Sequence, residues 1–129
     1  WIDETYIEYA GPDQTLEKSA EQSNNIFVCK SMSKVYALSG LRAAYLCANP
    51  KNIRTLKKLI PPWVISLPAQ IASTYTLKEE KSYRKKYKET NILRENLKLE
   101  LNKIGIKEII PGIANFIMFH ISGDKYSAS

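Results

Sequence analysis

The sequence predicts an α/β fold in its first half, because short β-rich segments alternate there with segments of helical periodicity. In the second half, one long amphipathic helical segment is followed by two strand candidates, which predicts the start of a separate α+β unit. The composition, with 44% hydrophobic and 25% charged residues, is that of an ordinary globular chain. We therefore predict two parts, residues 1–78 and residues 79–129.

Each element is predicted from its local pattern. Trp1 and Ile2 have the character of the end of a buried strand, so we expect the chain to start inside a domain and to be a piece of a longer protein. Pro50 suits the first turn of a helix, and Gly105 suits the end of the longest one. Helices are predicted over 15–22, 50–59, 68–77 and 80–104, and strands over 26–29, 41–48, 107–110 and 115–121.

The basic residues behind the formal charge of +6 are densest in residues 78–88, where lysines and one arginine surround Tyr83 and Tyr87. Basic residues among aromatic ones can bind nucleic acid, which gives one hypothesis for this segment. A helical stripe explains the same residues more simply, because the apolar positions recur at steps of three and four. The stripe consists of Tyr83, Tyr87, Thr90, Leu93, Leu97, Leu101 and Ile104. The lysines then form the solvated face of this helix, and we expect no nucleic-acid partner.

Three further features limit the function classes. No apolar run approaches the roughly 20 residues that cross a bilayer, and the first residues lack the layout of a secretion signal, so no membrane association is expected. Cys29 and Cys47 have no CxxC partner and lie in apolar segments, which predicts small buried residues in a reducing cytoplasm. We predict no metal site.

Two hydroxyls, an ammonium and a guanidinium follow the strand predicted over 26–29. Ser31, Ser33 and Lys34 are close together, and Arg42 comes soon after. Loops at the carboxyl ends of strands in α/β sheets commonly bind ligands, and serines with a forked arginine suit a phosphate group. A lysine that is partly desolvated among other cations can react as a neutral amine with a carbonyl carbon. The segment therefore predicts a phosphorylated ligand and makes Lys34 the candidate nucleophile.

A carboxylate and a phenol lie three residues apart at the end of the first apolar segment. Asp3 could hold a protonated pyridine nitrogen, and Tyr6 could donate a hydrogen bond to an oxygen on the same ring. An aspartate at a strand end is more often a capping or solvated residue, so this pair indicates a site only together with the lysine segment.

Three motifs in order carry a family resemblance: D-E-T-Y at residues 3–6, S-M-S-K at residues 31–34 and G-L-R at residues 40–42. Their order and spacing resemble those of fold-type I aminotransferases that depend on pyridoxal 5′-phosphate (PLP), in class I/II. The branch they resemble most is that of the histidinol-phosphate aminotransferases. The resemblance implies that residues 1–78 are the C-terminal portion of the PLP-binding large domain. Residues 79–129 would then begin the small domain.

The resemblance also implies roles for six residues. Lys34 would bind PLP covalently and then move a proton between the substrate and the cofactor. Asp3 would pair with the pyridine nitrogen, and Tyr6 would bond the ring oxygen. The residues that would hold the cofactor phosphate are Ser31, Ser33 and Arg42.

The resemblance implies a cytoplasmic homodimer that transfers an amino group between an amino acid, or an amino-alcohol phosphate, and a 2-oxo acid. A PLP-dependent lyase such as threonine-phosphate decarboxylase, or a pseudo-enzyme that retains PLP, would keep the same residues. The family also uses segments upstream of Asp3 that are not in this sequence. We therefore expect these 129 residues alone to be inactive and to bind PLP weakly.

Overall fold

The computed structural model describes residues 1–121. Its first sheet contains β1 (Ile2–Asp3), β2 (Val28–Ser31) and β3 (Ala44–Cys47) in the order β1-β2-β3. Strand β2 lies at the centre, parallel to β1 and antiparallel to β3. The ends of β1 and β2 and the start of β3 consequently lie at the same edge of the sheet.

The described chain also contains four α-helices and a second small sheet. The helices are α1 (Glu17–Gln22), α2 (Pro50–Lys57), α3 (Leu67–Lys78) and α4 (Glu80–Lys103). The second sheet pairs β4 (Ile109–Ile110) with β5 (Met118–Phe119) in antiparallel orientation. This mixture of helices and small sheets agrees with the predicted α/β class.

The predicted start of α2 and the predicted end of α4 are confirmed by their capping hydrogen bonds. Asn49 accepts a 2.9 Å hydrogen bond from the main-chain N–H of Lys51, and Pro50 occupies the first helical position of α2. Gly105 follows α4 with a φ of 96°, a left-handed conformation that glycine adopts without strain. The N–H of Ile106 then donates to the carbonyl of Leu101 at 3.1 Å, which closes a Schellman motif.

Two strands of the first sheet differ from their predicted bounds. Strand β2 begins at Val28, because the strand partners on both sides of it begin their pairing there. It continues to Ser31, which was predicted to lie in the loop. Strand β3 begins only at Ala44, because a 3₁₀ turn at Ser39–Leu41 and the left-handed backbone of Arg42, with φ of 52°, precede it.

The described core lies between the loop after β2 and the first half of α4. Its buried members are Met32, Val35, Tyr36, Ala43, Ala69 and Tyr87. The apolar stripe of α4 is buried only near its start: Tyr87 is 8% exposed, whereas Leu93 is 67% exposed. The lysines of α4 between residues 81 and 88 are exposed, as predicted. The predicted division between residues 78 and 79 coincides with the break between α3 and α4 and stays a prediction.

Cys29 and Cys47 are free thiols and are half-buried rather than buried. Within residues 1–121, no helix combines the length and the apolar character that a bilayer crossing requires.

The last predicted strand, over 115–121, is shorter than expected. The strand β5 found there has only two residues.

Candidate active site

Three of the predicted site residues lie at the shared edge of the first sheet. Asp3 is the last residue of β1 and pairs with Cys29, while Ser31 is the last residue of β2 and pairs with Ala44. Arg42 comes two residues before Ala44, where β3 begins. Because β1 and β2 are parallel, their carboxyl ends bring an aspartate and a serine to neighbouring positions.

Thr5 joins the two strand ends through its hydroxyl group. The hydroxyl donates to Oδ1 of Asp3 at 2.6 Å and accepts the main-chain N–H of Ser31 at 3.3 Å. The main-chain N–H of Thr5 donates to the same carboxylate oxygen at 2.8 Å. Asp3 is thus fixed relative to the first residue of the S-M-S-K motif.

The same bonds stabilise the charged form of Asp3. Hydrogen bonds from the hydroxyl and the main-chain N–H of Thr5 lower the pKa of Asp3 below its ordinary value, and slight burial opposes them. Asp3 is therefore an anion at neutral pH. An anion is what a protonated pyridine nitrogen requires as its partner.

The loop after β2 is held by apolar side chains, while its lysine faces outward. Met32, Val35 and Tyr36 are buried, and Lys34 is exposed. The N–H of Ala37 donates to the carbonyl of Lys34 at 3.1 Å, which closes a turn around the lysine. Because Lys34 is exposed, the prediction that it is partly desolvated is not met in the described chain.

The remaining predicted residues have different surroundings. The N–H of Ser33 donates to Oγ of Ser31 at 3.3 Å, so a continuous chain of hydrogen bonds runs from Asp3 through Thr5 to Ser33. Arg42 is exposed at the same edge. The ring of Tyr6 is half-buried and packs edge-on against Phe116, with ring centres 5.5 Å apart. Tyr6, Lys34 and Arg42 lie outside that chain of hydrogen bonds.

A buried ammonium group next to this edge was not predicted from the sequence. Lys30 is 3% exposed, and its Nζ lies 2.9 Å from Glu17, 3.2 Å from Glu8 and 3.5 Å from Glu4. The signal was present in the alternation of β2, because Lys30 follows Val28 by two residues and therefore shares its covered face.

Four further donors satisfy the carboxylates around Lys30. Tyr36 donates to Glu8 at 2.9 Å, and Tyr45 donates to Glu17 at 2.8 Å. Glu4 accepts the hydroxyl of Thr15 at 2.6 Å and the N–H of Leu16 at 2.8 Å. We name Lys30, Glu4, Glu8, Glu17, Tyr36 and Tyr45 the Lys30 cluster.

The side chains at the shared edge and in the loop after β2 fit PLP chemically. An exposed primary amine can reach the cofactor aldehyde, and an anionic carboxylate suits the ring nitrogen. Two serines and an arginine match a phosphate group. These groups are Lys34, Asp3, Ser31, Ser33 and Arg42.

A comparison with protein families matches residues 1–128 to the family described as aminotransferase class I and II, whose members depend on PLP. A histidinol-phosphate aminotransferase from Sulfurisphaera tokodaii is 34% identical over 126 residues, which cover 98% of this chain and 34% of that protein. One from Vibrio vulnificus is 30% identical over 127 residues and covers 96% of this chain and 36% of its own length. The chain thus spans about a third of the length of these relatives.

Solved structures agree with the sequence comparisons. The histidinol-phosphate aminotransferase from Clostridium acetobutylicum superposes with a TM-score of 0.78 at 29% identity, over 90% of this chain and 36% of that one. The enzyme from Sinorhizobium meliloti, solved in complex with PLP, has the same fold, with a TM-score of 0.78 at 21% identity. These relatives and solved structures are all histidinol-phosphate aminotransferases.

Proposed function

Because the chain belongs to the family of class I and II aminotransferases, we propose that the complete protein that contains it is a PLP-dependent aminotransferase. This segment carries part of the cofactor site. The reaction transfers an amino group between an amino acid, or an amino-alcohol phosphate, and a 2-oxo acid. The observation that carries this proposal is the chain of hydrogen bonds from Asp3 through Thr5 to Ser31, which joins two of the three family motifs at one sheet edge.

Each proposed site residue has a defined task. PLP supplies an electron sink when it is bound, and Asp3 keeps that sink effective by holding the ring nitrogen protonated. The amine of Lys34 would hold PLP covalently through its aldehyde carbon, and when free it would move a proton at the substrate α-carbon. Tyr6 donates to the ring oxygen. The phosphate is held by Ser31, Ser33 and Arg42.

The structure of the loop supports the task of Lys34. Val35 and Tyr36 are buried immediately after it, and Met32 is buried before it. The main chain on both sides of Lys34 is therefore held in place, while its amine stays accessible to an entering aldehyde. Such positioning lowers the entropic cost of bringing a nucleophile and a carbonyl group together.

The organisation of the complete enzyme is part of the same proposal. Residues 1–78 form the C-terminal portion of the PLP-binding large domain, and residues 79–129 begin the small domain. The enzyme is a cytoplasmic homodimer. The chain by itself is expected to lack transaminase turnover, because the relatives use about three times its length for the same reaction.

Covalent trapping tests the proposal. The gene product that contains these residues is incubated with PLP and reduced with borohydride, which delivers hydride to the C=N bond and leaves a stable secondary amine. Peptide mass mapping is expected to find the adduct on Lys34 and to lose it in Lys34→Ala. Lys18→Ala, which removes another exposed lysine, is the control and is expected to keep the adduct. An adduct distributed over exposed lysines, or one unchanged in Lys34→Ala, would contradict the proposal.

The proposed binding of the cofactor phosphate is tested by comparing PLP with pyridoxal, which lacks the phosphate. Arg42→Ala is expected to weaken PLP binding and to leave pyridoxal binding unchanged, because the guanidinium bonds only the phosphate. Arg54→Ala, an exposed arginine on α2, is the matched control. Equal losses in the two variants would remove Arg42 from the site.

Product analysis of the complete protein separates transamination from a lyase reaction. Glutamate formation from 2-oxoglutarate indicates transamination, and CO₂ release indicates a lyase.

A further inference from the structure

The Lys30 cluster lies on the covered face of the sheet, opposite the proposed cofactor site. Successive strand residues alternate between faces, so Lys30 and Ser31 point in opposite directions. Lys30 is 3% exposed, and Ser31 is half-buried. The same alternation separates Glu4, which is 5% exposed, from the exposed Asp3. Each proposed site residue at these two strand ends thus has a neighbour in the cluster.

The ammonium of Lys30 connects the segments that carry the site. Glu4 and Glu8 belong to the segment after β1 and lie on either side of Thr5 and Tyr6. Both carboxylates lie within 3.5 Å of Nζ of Lys30, which immediately precedes Ser31 in β2. The ion pairs therefore hold the segment of Asp3 and Tyr6 against the strand that leads into the Lys34 loop.

The cluster is charge-rich but well satisfied. Burial opposes the charge of Lys30, yet the carboxylates of Glu17 and Glu8 outweigh it and raise the pKa of Lys30 above its ordinary value. Burial also opposes ionisation of Glu17, but hydrogen bonds from Lys30 and Tyr45 prevail and lower the pKa of Glu17. The ion pairs are therefore maintained at neutral pH, in surroundings where an unpaired charge would be costly.

We propose that Lys30 is a positioning residue of the enzyme: through Glu4 and Glu8 it sets the placement of Asp3 and Tyr6 relative to Lys34. This inference rests on the proposed function. It assigns to Lys30 no contact with the cofactor or the substrate, because its side chain lies on the other face of the sheet. Its effect on the cofactor passes through the backbone of residues 3–8 and through β2.

Two carboxylates of the cluster offer a matched pair of variants. Glu8 and Glu17 each contact Nζ of Lys30 and each accept one tyrosine hydroxyl, from Tyr36 and Tyr45 respectively. Glu8 lies on the segment of Asp3 and Tyr6, whereas Glu17 lies on α1, which carries no proposed site residue. Glu8→Gln and Glu17→Gln therefore remove the same charge from the same ammonium at different points of the fold.

The experiment measures PLP binding in the full gene product, together with the pH at which the visible absorbance of the lysine-linked cofactor changes. Glu8→Gln is expected to raise the Kd for PLP by about tenfold and to shift that pH, because a misplaced Asp3 or Tyr6 loses a charge-assisted hydrogen bond. Both variants are expected to lower the unfolding midpoint to a similar extent. Glu17→Gln is expected to leave the Kd for PLP and the pH of the absorbance change as they are in the wild type. Equal cofactor effects in the two variants, or none in either, would overturn the inference.

Substitution of the lysine itself gives an independent measurement. Lys30→Arg keeps the positive charge and is expected to keep the pH at which the cofactor absorbance changes. A folded Lys30→Met variant is expected to show a shifted pH. If Lys30→Met does not fold, the comparison of Glu8→Gln with Glu17→Gln decides. Failure of the proposed function is distinguishable, because in that case the wild-type protein itself forms no borohydride-trapped adduct on Lys34.

Discussion

The phenolic hydroxyl of Tyr87 donates a 3.2 Å hydrogen bond to the main-chain carbonyl of Val35, the residue that follows Lys34. A second tyrosine of α4, Tyr83, donates to the carbonyl of Tyr36 at 3.3 Å. Helix α4 therefore holds the loop that carries Lys34 in place, although the two tyrosines lie about fifty residues further along the chain. The first half of α4 thus belongs to the structural support of the proposed site.

Tyr87→Phe is expected to destabilise the protein by about 1–3 kcal/mol, because it leaves the carbonyl of Val35 without its buried donor. The free energy of unfolding, measured by urea titration with circular dichroism, checks this value. Tyr75→Phe removes a hydroxyl from a ring that is 67% exposed and is expected to change stability by less than about 0.5 kcal/mol. Equal effects of the two substitutions would contradict the assigned support.

Local signals predicted much of this fold. Pro50 and Gly105 fix the ends of their helices through bonds within a few residues, so the sequence pattern is sufficient to place them. Strand bounds were less accurate, because the length of β2 depends on where its partners β1 and β3 start and stop. Such pairing joins residues that are far apart in the sequence, and no local pattern reports it.

The candidate site was predicted in part for a similar reason. Three sequence motifs indicated the residues at the sheet edge, and those predicted roles remain to be tested. Thr5 and Lys30 were missed, because a threonine and a lysine acquire their meaning here only through partners contributed by other strands and by α1. The exposure of Lys34 was not expected either, since a sequence shows that a loop has apolar residues but not which way each one faces.

Thr5→Val is expected to raise the pKa of Asp3 toward its ordinary value, because the substitution removes the shorter of the two hydrogen bonds from Thr5 to the carboxylate. NMR titration of the side-chain carboxyl measures the change. Thr5→Ser keeps the hydroxyl and is expected to keep the lowered pKa. An unchanged pKa in Thr5→Val would show that the main-chain bond alone stabilises the anion.

Lys30→Met is expected to destabilise the protein by about 3–5 kcal/mol, because it leaves one buried and two half-buried carboxylates without their cation. Lys103→Met provides the contrast, since Lys103 forms a 2.7 Å ion pair with Glu100 at the exposed end of α4. Surface pairs of this kind contribute at most about 1 kcal/mol. Chemical unfolding of both variants gives the comparison, and similar losses would contradict the burial of the Lys30 cluster.

The acid stability of the protein is expected to depend on Glu17. Its pKa is lowered in the folded state, so its contribution to stability is present above its ordinary pKa of 4.5 and is lost as the pH falls through the lowered value. Glu17→Gln removes this contribution. The difference in unfolding free energy between wild type and Glu17→Gln is therefore expected to be largest near neutral pH and to shrink below pH 4.5. A difference that is constant over this range would contradict the prediction.

The tyrosines of the core are expected to resist ionisation at alkaline pH. Burial, reinforced by nearby Glu8 or Glu17, raises the pKa of Tyr36, Tyr45 and Tyr87 well above the ordinary value of 10.0. Because the folded state favours the neutral phenol, this stability is present below pH 10.0 and is lost as the pH rises through the raised values. Ultraviolet titration of the native protein should therefore show fewer tyrosinates just above pH 10.0 than titration in urea does. Tyr45→Phe should leave the native curve unchanged just above pH 10.0 and lower the final amplitude in urea. A smaller native amplitude at that pH would mean that Tyr45 ionises as a free phenol and that its bond to Glu17 does not form.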